Sequence, residues 1–382
     1  MKVAQLSFFR DRRRRPADIL RDWWVLVDCA EMVAATGASV TVFQACRESA
    51  SIEQNGVLYH FIAPELGTGL MGGSRKLARL LRGLQPDILH VNGLAFPADT
   101  RQLARILPET PIFLQDHADR VPRWWRRAAM RRGLAAAAGV SFCSLEQAIP
   151  FREAGLLNAR TRVFEIPESA TRFMPGDRED ARRLTGMHGD PAVLWVGHLD
   201  RNKDPVTVLT GLAQAARTLP GMQVWCCFGT APLLGEVQTL MAQPALRDRV
   251  HLLGRVDHPR VERLMRAADI FVLGSRREGS GCSLVEALAC GLPPVVTDIP
   301  SFRTMTGDGV AGELWPCGEA DAMCAALLRV AACPREELRR VVRAHFEREL
   351  SPAAVGRKIR DAYESVMRCE VGRGRLPCSS PT

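Results

Sequence analysis

The stretch from Ile270 to Pro293 constrains the fold more than any other part of the chain. Ile270-Phe271-Val272-Leu273-Gly274-Ser275 is an apolar run suited to a buried strand, and Leu284 to Cys290 reads as a helix ended by Gly291 and Pro293. Between them lies Glu278-Gly279-Ser280-Gly281-Cys282-Ser283. A strand passing through a glycine loop into a helix gathers backbone N–H groups and the positive end of a helix dipole at one point, which favours a phosphate or pyrophosphate. Two carboxylates bracket the loop, Glu278 at its entry and Glu286 on the expected first helical turn. Acids there repel phosphate but accept hydrogen bonds from hydroxyls, such as those of a ribose and a sugar, so the pattern points to a nucleotide-sugar more than to a free nucleotide. The alternative is a pair of solvated acids that stabilise the helix start through its dipole.

Upstream the arrangement recurs with cations. Val193-Leu194-Trp195-Val196-Gly197-His198-Leu199 reads as a strand entering a turn, followed by Asp200-Arg201-Asn202-Lys203-Asp204-Pro205 and a helical Val206 to Ala216. Lys203 and Arg201 are placed to act as charge-assisted donors to a diphosphate; the alternative is a solvated basic turn.

Gly197-His198-Leu199, Lys203-Asp204-Pro205, Leu253-Gly254-Arg255-Val256, Ala268-Asp269, Glu278-Gly279 and Glu286-Ala287-Leu288-Ala289-Cys290-Gly291-Leu292-Pro293 together resemble the C-terminal domain of glycosyltransferase family 4, the retaining GT-B enzymes also described as glycosyl transferases group 1. The resemblance extends through Pro86-Asp87-Ile88-Leu89-His90 and Gln115-Asp116-His117-Ala118 to the N-terminal strand, so it covers nearly the whole chain. It implies a retaining, metal-independent hexosyl transfer from a nucleoside-diphosphate sugar to a glycan, lipid-linked or small-molecule acceptor, with no cofactor. It also implies roles. Gly197, His198, Arg201 and Lys203 would meet the diphosphate, with the loop amides of Gly279, Ser280, Gly281, Cys282, Ser283 and Leu284. Glu286 would hold the ribose, Glu278 the transferred sugar, and the backbone near Arg255 and Val256 the base. His117, at the end of a strand, would face the reacting sugar, which makes His117, Lys203 and Glu278 the catalytic candidates; His90 reads as a packed strand-end residue.

Two departures stand out. His198 occupies the position of the family's arginine, a weaker and pH-dependent cation, and Ser7-Phe8-Phe9-Arg10 replaces the glycine pair after the first strand. They keep open a non-catalytic nucleotide-sugar-binding protein, and the fold, which alone does not fix the chemistry, leaves open an epimerase or phosphorylase.

At 382 residues the chain is long enough for two domains, and a hydrophobic fraction of 47% with 24% charged residues describes a globular protein. Strand and helix patterns alternate over Lys2–Ser7, Ala17–Thr36, Ser39–Ala45, Leu77–Leu84, Ile88–Val91, Ile112–Gln115 and Gly139–Cys143, then restart at Ala192. That alternation predicts an α/β chain of GT-B type, two doubly wound Rossmann-like domains facing a central cleft. The polar, Pro/Gly-containing Ile166–Asp177 is the expected linker, giving an acceptor-side domain over 1–170 and a nucleotide-sugar domain over 171–350. A helix over 351–368 is expected to return to the first domain and 369–382 to form a flexible tail.

No apolar run approaches the ~20 residues that span a bilayer, and the start carries no secretory signal, so a cytoplasmic location is expected. The 12 cysteines are scattered with no CxxC pair, which argues against a metal cage or a disulfide framework. Cys282 has no partner base at a recognisable spacing. The net charge of +9 concentrates in two clusters, Arg10 with Arg12–Arg15, and six arginines with two tryptophans over Arg120–Arg132. Arginine interleaved with tryptophan suits an anionic membrane surface, hence a peripheral inner-face location, or a phosphate-bearing acceptor. It also suits a solvated basic face. No nucleic-acid-binding motif accompanies the charge.

Overall fold

The computed structural model describes residues 1–9, 13–63 and 75–373. Arg10, Arg12 and the tail from residue 374 lie outside the described residues. The chain divides into two compact units, Met1–Ser169 joined by the chain from Pro352, and Ala170–Ser351.

In the first unit β1 (Lys2–Ser7), α1 (Pro16–Asp22), α2 (Trp24–Ala34), β2 (Ser39–Ala45), β3 (Ala50–Gln54), β4 (Val57–Ile62), α3 (Arg75–Leu84), β5 (Ile88–Asn92), α4 (Pro97–Ile106), β6 (Ile112–Gln115), α5 (Trp124–Leu134), β7 (Gly139–Phe142), α6 (Ile149–Glu153) and β8 (Arg162–Glu165) follow in order. The strands form one sheet, β3-β4-β2-β1-β5-β6-β7-β8. Leu6, Leu89, Val91, Leu114, Val140 and Phe142 anchor its core. The expected helix over Ala17–Thr36 is two helices, broken at Trp23 (φ −103°, ψ 59°). The sheet also carries an antiparallel edge, β3 on β4, that the parallel expectation did not include. Its turn is Asn55-Gly56, with φ of 51° and 75°, the left-handed pair that a tight hairpin requires.

The second unit holds α7 (Arg178–Thr185), β9 (Ala192–Val196), α8 (Pro205–Ala215), β10 (Gln223–Cys227), α9 (Leu234–Met241), β11 (Val250–Gly254), α10 (His258–Ala267), β12 (Ile270–Leu273), α11 (Cys282–Ala289), β13 (Pro294–Thr297), α12 (Pro300–Thr306), β14 (Glu313–Trp315), α13 (Ala320–Ala332) and α14 (Arg335–Glu349). Its parallel sheet runs β11-β10-β9-β12-β13-β14. Strand order therefore reverses between β9 and β12, where doubly wound sheets bind ligands at the strand carboxyl ends. The expected linker, Ile166–Asp177, has no regular structure, yet Ile166, Ala170, Thr171 and Phe173 are buried. The segment is packed through Phe173 apart from the exposed Arg172, and exposed from Met174 to Asp177.

The last helix, α15 (Pro352–Arg373), belongs to the first unit and packs on α2. There Gly356 leaves room for the Met32 carbonyl, which a Cβ would meet at 2.6 Å, and the buried Tyr363 hydroxyl bonds His90 Nδ1. The helix runs to Arg373, five residues into the segment expected to be tail.

Asp269, with its side chain 1% exposed, binds Arg178 and Arg182 at 2.8 Å, Arg335 at 3.3 Å and the Ala192 amide at 2.8 Å. It ties α7 and α14 to the first residue of β9. Removing one side of a buried ionic network leaves uncompensated charge, so Asp269→Ala should cost about 3–5 kcal/mol in urea unfolding. A loss below about 1 kcal/mol would show that the arginines hold these elements without it.

Candidate functional site

β9 and β12 are parallel neighbours, Val193 beside Ile270 and Trp195 beside Val272, so the loops that leave them emerge together. After β9 the chain turns through Gly197 and His198 to Asp204, which sits at φ 52° and caps α8 by accepting the Thr207 amide. After β12 it passes Gly274 to Gly281. Gly274 must be glycine, since a Cβ would meet Val208 at 2.8 Å and the Lys203 and Asp204 carbonyls at 3.0 Å.

The two loops are clamped by Asn202, a residue the motif reading passed over. Its carbonyl accepts the Arg276 amide at 2.7 Å and its Nδ2 donates to the Arg277 carbonyl at 3.0 Å. Across the clamp, Lys203 Nζ donates to Glu278 Oε1 at 2.5 Å, both side chains only 16% and 14% exposed. The structure thus brings Lys203 and Glu278 into contact. Arg201 lies exposed on the same turn, and Arg276 pairs with Asp204 at 2.6 Å.

The exposed His198 ring accepts the Thr230 amide through Nδ1 at 3.1 Å, which turns Nε2 away from that bond.

Gly281 adopts φ 74° with Phe302 packed against its α-carbon, where a Cβ would come within 2.6 Å of the ring. This left-handed N-cap starts α11 at Cys282 rather than Leu284, so Glu286 falls on the second turn, not the first. Ser280 is buried, Cys282 and Ser283 are half-buried, and the Gly281 carbonyl takes the Leu284 amide at 2.8 Å. Glu286 is 4% exposed. Burial pushes its carboxyl up, opposed by His258, whose Nε2 lies 2.6 Å from Glu286 Oε1. Arg255 and Val256 follow β11 and lead through Asp257 into His258. His258 was not anticipated, because nothing local in the sequence joins it to Glu286.

In the first unit, strand order reverses between β1 and β5. A cavity of about 590 Å³ opens there, lined among others by Ser7, Phe9, Trp23, Asn92, Phe96 and His117. The Phe9 ring, just after β1, lies 5.4 Å from the Trp23 ring and is tilted to it at 48°. His117 reaches Glu168 Oε2 through Nδ1 at 3.3 Å and Asn92 Oδ1 through Nε2 at 3.4 Å. Burial lowers its affinity for a proton, but the Glu168 hydrogen bond and charge, with Asp116 and Asp119, outweigh that and raise it overall. Asp116, buried beside Asp119, is pushed up to about 7. Burial also pushes the thiols of Cys29, Cys227 and Cys290 up to about 12, so they are unreactive core residues.

Protonated His117 is favoured by the folded chain. It therefore stabilises the fold below the ordinary histidine range and stops doing so as pH rises through its raised value. Glu168→Gln should leave burial dominant and move the ring titration, followed by NMR, to the acid side of wild type. An unmoved titration would mean that Glu168 does not hold the imidazolium.

Residues 177–347 match the family model described as Glycosyl transferases group 1. A D-inositol 3-phosphate glycosyltransferase of Nocardia farcinica is 30% identical over 191 residues, 48% of this chain and 42% of that protein. A phosphatidyl-myo-inositol mannosyltransferase of Mycobacterium leprae is 33% identical over 183 residues, 46% of each chain. The chain thus spans under half the length of these relatives. Among solved structures, the sucrose-phosphate synthase of Thermosynechococcus elongatus superposes with a TM-score of 0.71 at 20% identity, covering 96% of this chain and 99% of that one. The Anabaena HepE protein in complex with UDP gives 0.72 at 18% identity, covering 96% and 100%. These likenesses show the fold, GT-B with two Rossmann-like domains, and the match to the glycosyl transferases group 1 model falls within the second unit.

Proposed function

We propose that the chain is a retaining glycosyltransferase that moves a sugar from a nucleoside-diphosphate sugar to a hydroxyl acceptor. The observation that carries this reading is the Lys203–Glu278 contact at the reversal point of the second sheet, beside the left-handed glycine that starts α11. An ammonium has three donors, so Lys203 can keep Glu278 and still meet a diphosphate. Its charge stabilises the leaving group as the glycosidic bond breaks, helped by the His198 Nε2–H and the amides of the glycine loop, with no metal or cofactor called for. Glu286 serves the ribose and the backbone around Arg255 and Val256 the base, while Glu278 orients the sugar. Retention follows from attack on the leaving-group face through an oxocarbenium-like transition state.

The acceptor, a glycan, a lipid-linked sugar or a small molecule, is assigned to the His117 cavity, with His117 facing the reacting sugar. Phe9, Trp23 and Phe96 give that cavity aromatic walls for a ring or an acyl chain. Beside it, Trp124 and Trp125 stand 76% and 54% exposed at the start of α5, Arg123 lies over the Trp125 ring, and Arg120 and Arg126 line the adjoining groove. An exposed indole pair among arginines supports a peripheral contact with an anionic inner-leaflet surface. None of the described helices is long and apolar enough to cross a membrane.

Incubation with donor and acceptor, read by NMR, should yield a glycoside of the donor's anomeric configuration; an inverted product, or conversion of donor without acceptor, contradicts the reading. Lys203→Ala should lower turnover on the order of a hundredfold, the cost of one preorganised charge donor, and unchanged turnover would remove Lys203 from the chemistry. Replacing Arg123, Arg126 and Arg127 with Ser should abolish co-sedimentation with anionic vesicles at low salt while leaving nucleotide binding intact. Wild-type protein that ignores such vesicles would make the segment a solvated face or an acceptor wall.

A further inference from the structure

Glu286 is a buried carboxylate, 4% exposed, whose two oxygens differ in their surroundings. Oε1 meets His258 Nε2 at 2.6 Å, whereas Oε2 is not among the fully enclosed polar atoms that lack a partner, so it stays within reach of solvent or of a ligand.

His258 is the first residue of α10, the crossover helix from β11 to β12, and follows Arg255, Val256 and the N-cap Asp257. The Asp257 side chain accepts the Arg260 amide at 2.8 Å, which fixes the helix start. The Phe173 ring lies 4.6 Å from the imidazole at 39°, so the ring plane is held on one side, while the side chain keeps 42% of its exposure. His258 is therefore a fixed donor between the loop after β11 and the acid of α11. A carboxylate has two equivalent oxygens and a loose terminal torsion. A short hydrogen bond to one of them selects a rotamer and directs the other.

We propose that His258 is the positioning residue of the nucleotide site, donating Nε2–H to Glu286 Oε1 so that Oε2 accepts a ribose hydroxyl of the donor nucleotide. This rests on the reading that the second unit binds a nucleoside diphosphate through Glu286. His258 gains its effect through Glu286, not by touching the phosphates, and the site it builds discriminates a ribonucleotide from its deoxy counterpart.

The test is calorimetric titration of the full chain with UDP, GDP and ADP, with the 2′-deoxy and 3′-deoxy forms of whichever binds, and with inorganic pyrophosphate. Wild type should prefer the ribonucleotide over at least one deoxy form by roughly tenfold, the scale of one hydrogen bond to a charged group. His258→Ala should weaken the ribonucleotide by about that factor and erase the preference, leave pyrophosphate affinity unchanged, and add nothing to Glu286→Gln in the double variant. His258→Gln, which keeps an N–H donor, should restore part of the preference. A folded His258→Ala that still discriminates as wild type does overturns the proposal, as does one that loses pyrophosphate to the same extent, because the role is then structural. If wild type binds no nucleoside diphosphate, the reading of the second unit falls and takes this inference with it; if it binds and only the preference is insensitive to His258, that reading stands and the inference alone fails.

Discussion

The adjacency of β9 and β12 is the constraint on which the rest of the second unit depends. Neither strand carries a reactive group, but their parallel pairing sends two loops out of the same end of the sheet, and Lys203 and Glu278, 75 positions apart in the chain, meet at 2.5 Å. Asn202 then fixes the loops to each other through backbone atoms of Arg276 and Arg277, independently of charge. The ion pair sits on a frame that exists without it. An ammonium and a carboxylate this shielded are held by geometry, and an anionic ligand finds the cation already oriented rather than having to recruit it from solvent.

The first unit uses the same topology for a different electrostatic end. Its cavity lies at the reversal between β1 and β5, and the chemistry is supplied from β6 and its exit turn. Crowding Asp116, Asp119 and Glu168 around His117 has two outcomes at once: the imidazole gains affinity for its proton, and Asp116, the most enclosed acid, loses ionisation near neutral pH. One ring thus stays a donor in a site whose acids compete for charge. At the rim of the cavity, Phe9 against Trp23 makes an apolar wall.

Much of this was legible in the sequence, and the parts that were not share a cause. The strand, glycine and helix successions around Gly197 and Gly279 are local patterns, and both were read where they lie. Asn202, His258 and Glu168 act through partners far along the chain, 28 residues away for His258 and 51 for Glu168, and no local signal joins them. Glu286 was put one turn early because the left-handed Gly281, which sets where α11 begins, looks in sequence like any loop glycine. The partner of His198 is the backbone amide of Thr230, likewise invisible before folding. The β3–β4 hairpin is different: Asn55-Gly56 between two alternating runs is a local signal, and it was overlooked in favour of the parallel pattern around it. The break at Trp23 had no signal, since helix formers flank it on both sides.

The central claim is that the second unit is a prebuilt nucleoside-diphosphate site. Its most direct test is a thermal-unfolding series of the wild-type chain against nucleoside diphosphates, the matching nucleoside-diphosphate sugars, nucleoside monophosphates and free sugars. A ligand at a hundred times its dissociation constant adds about 2.7 kcal/mol of stability, which is readily seen as a rise in Tm. The account predicts that one base, as its diphosphate and its sugar diphosphate, raises Tm, and that monophosphates and free sugars do not. No rise with any nucleoside diphosphate, or an equal rise with monophosphates, would contradict it.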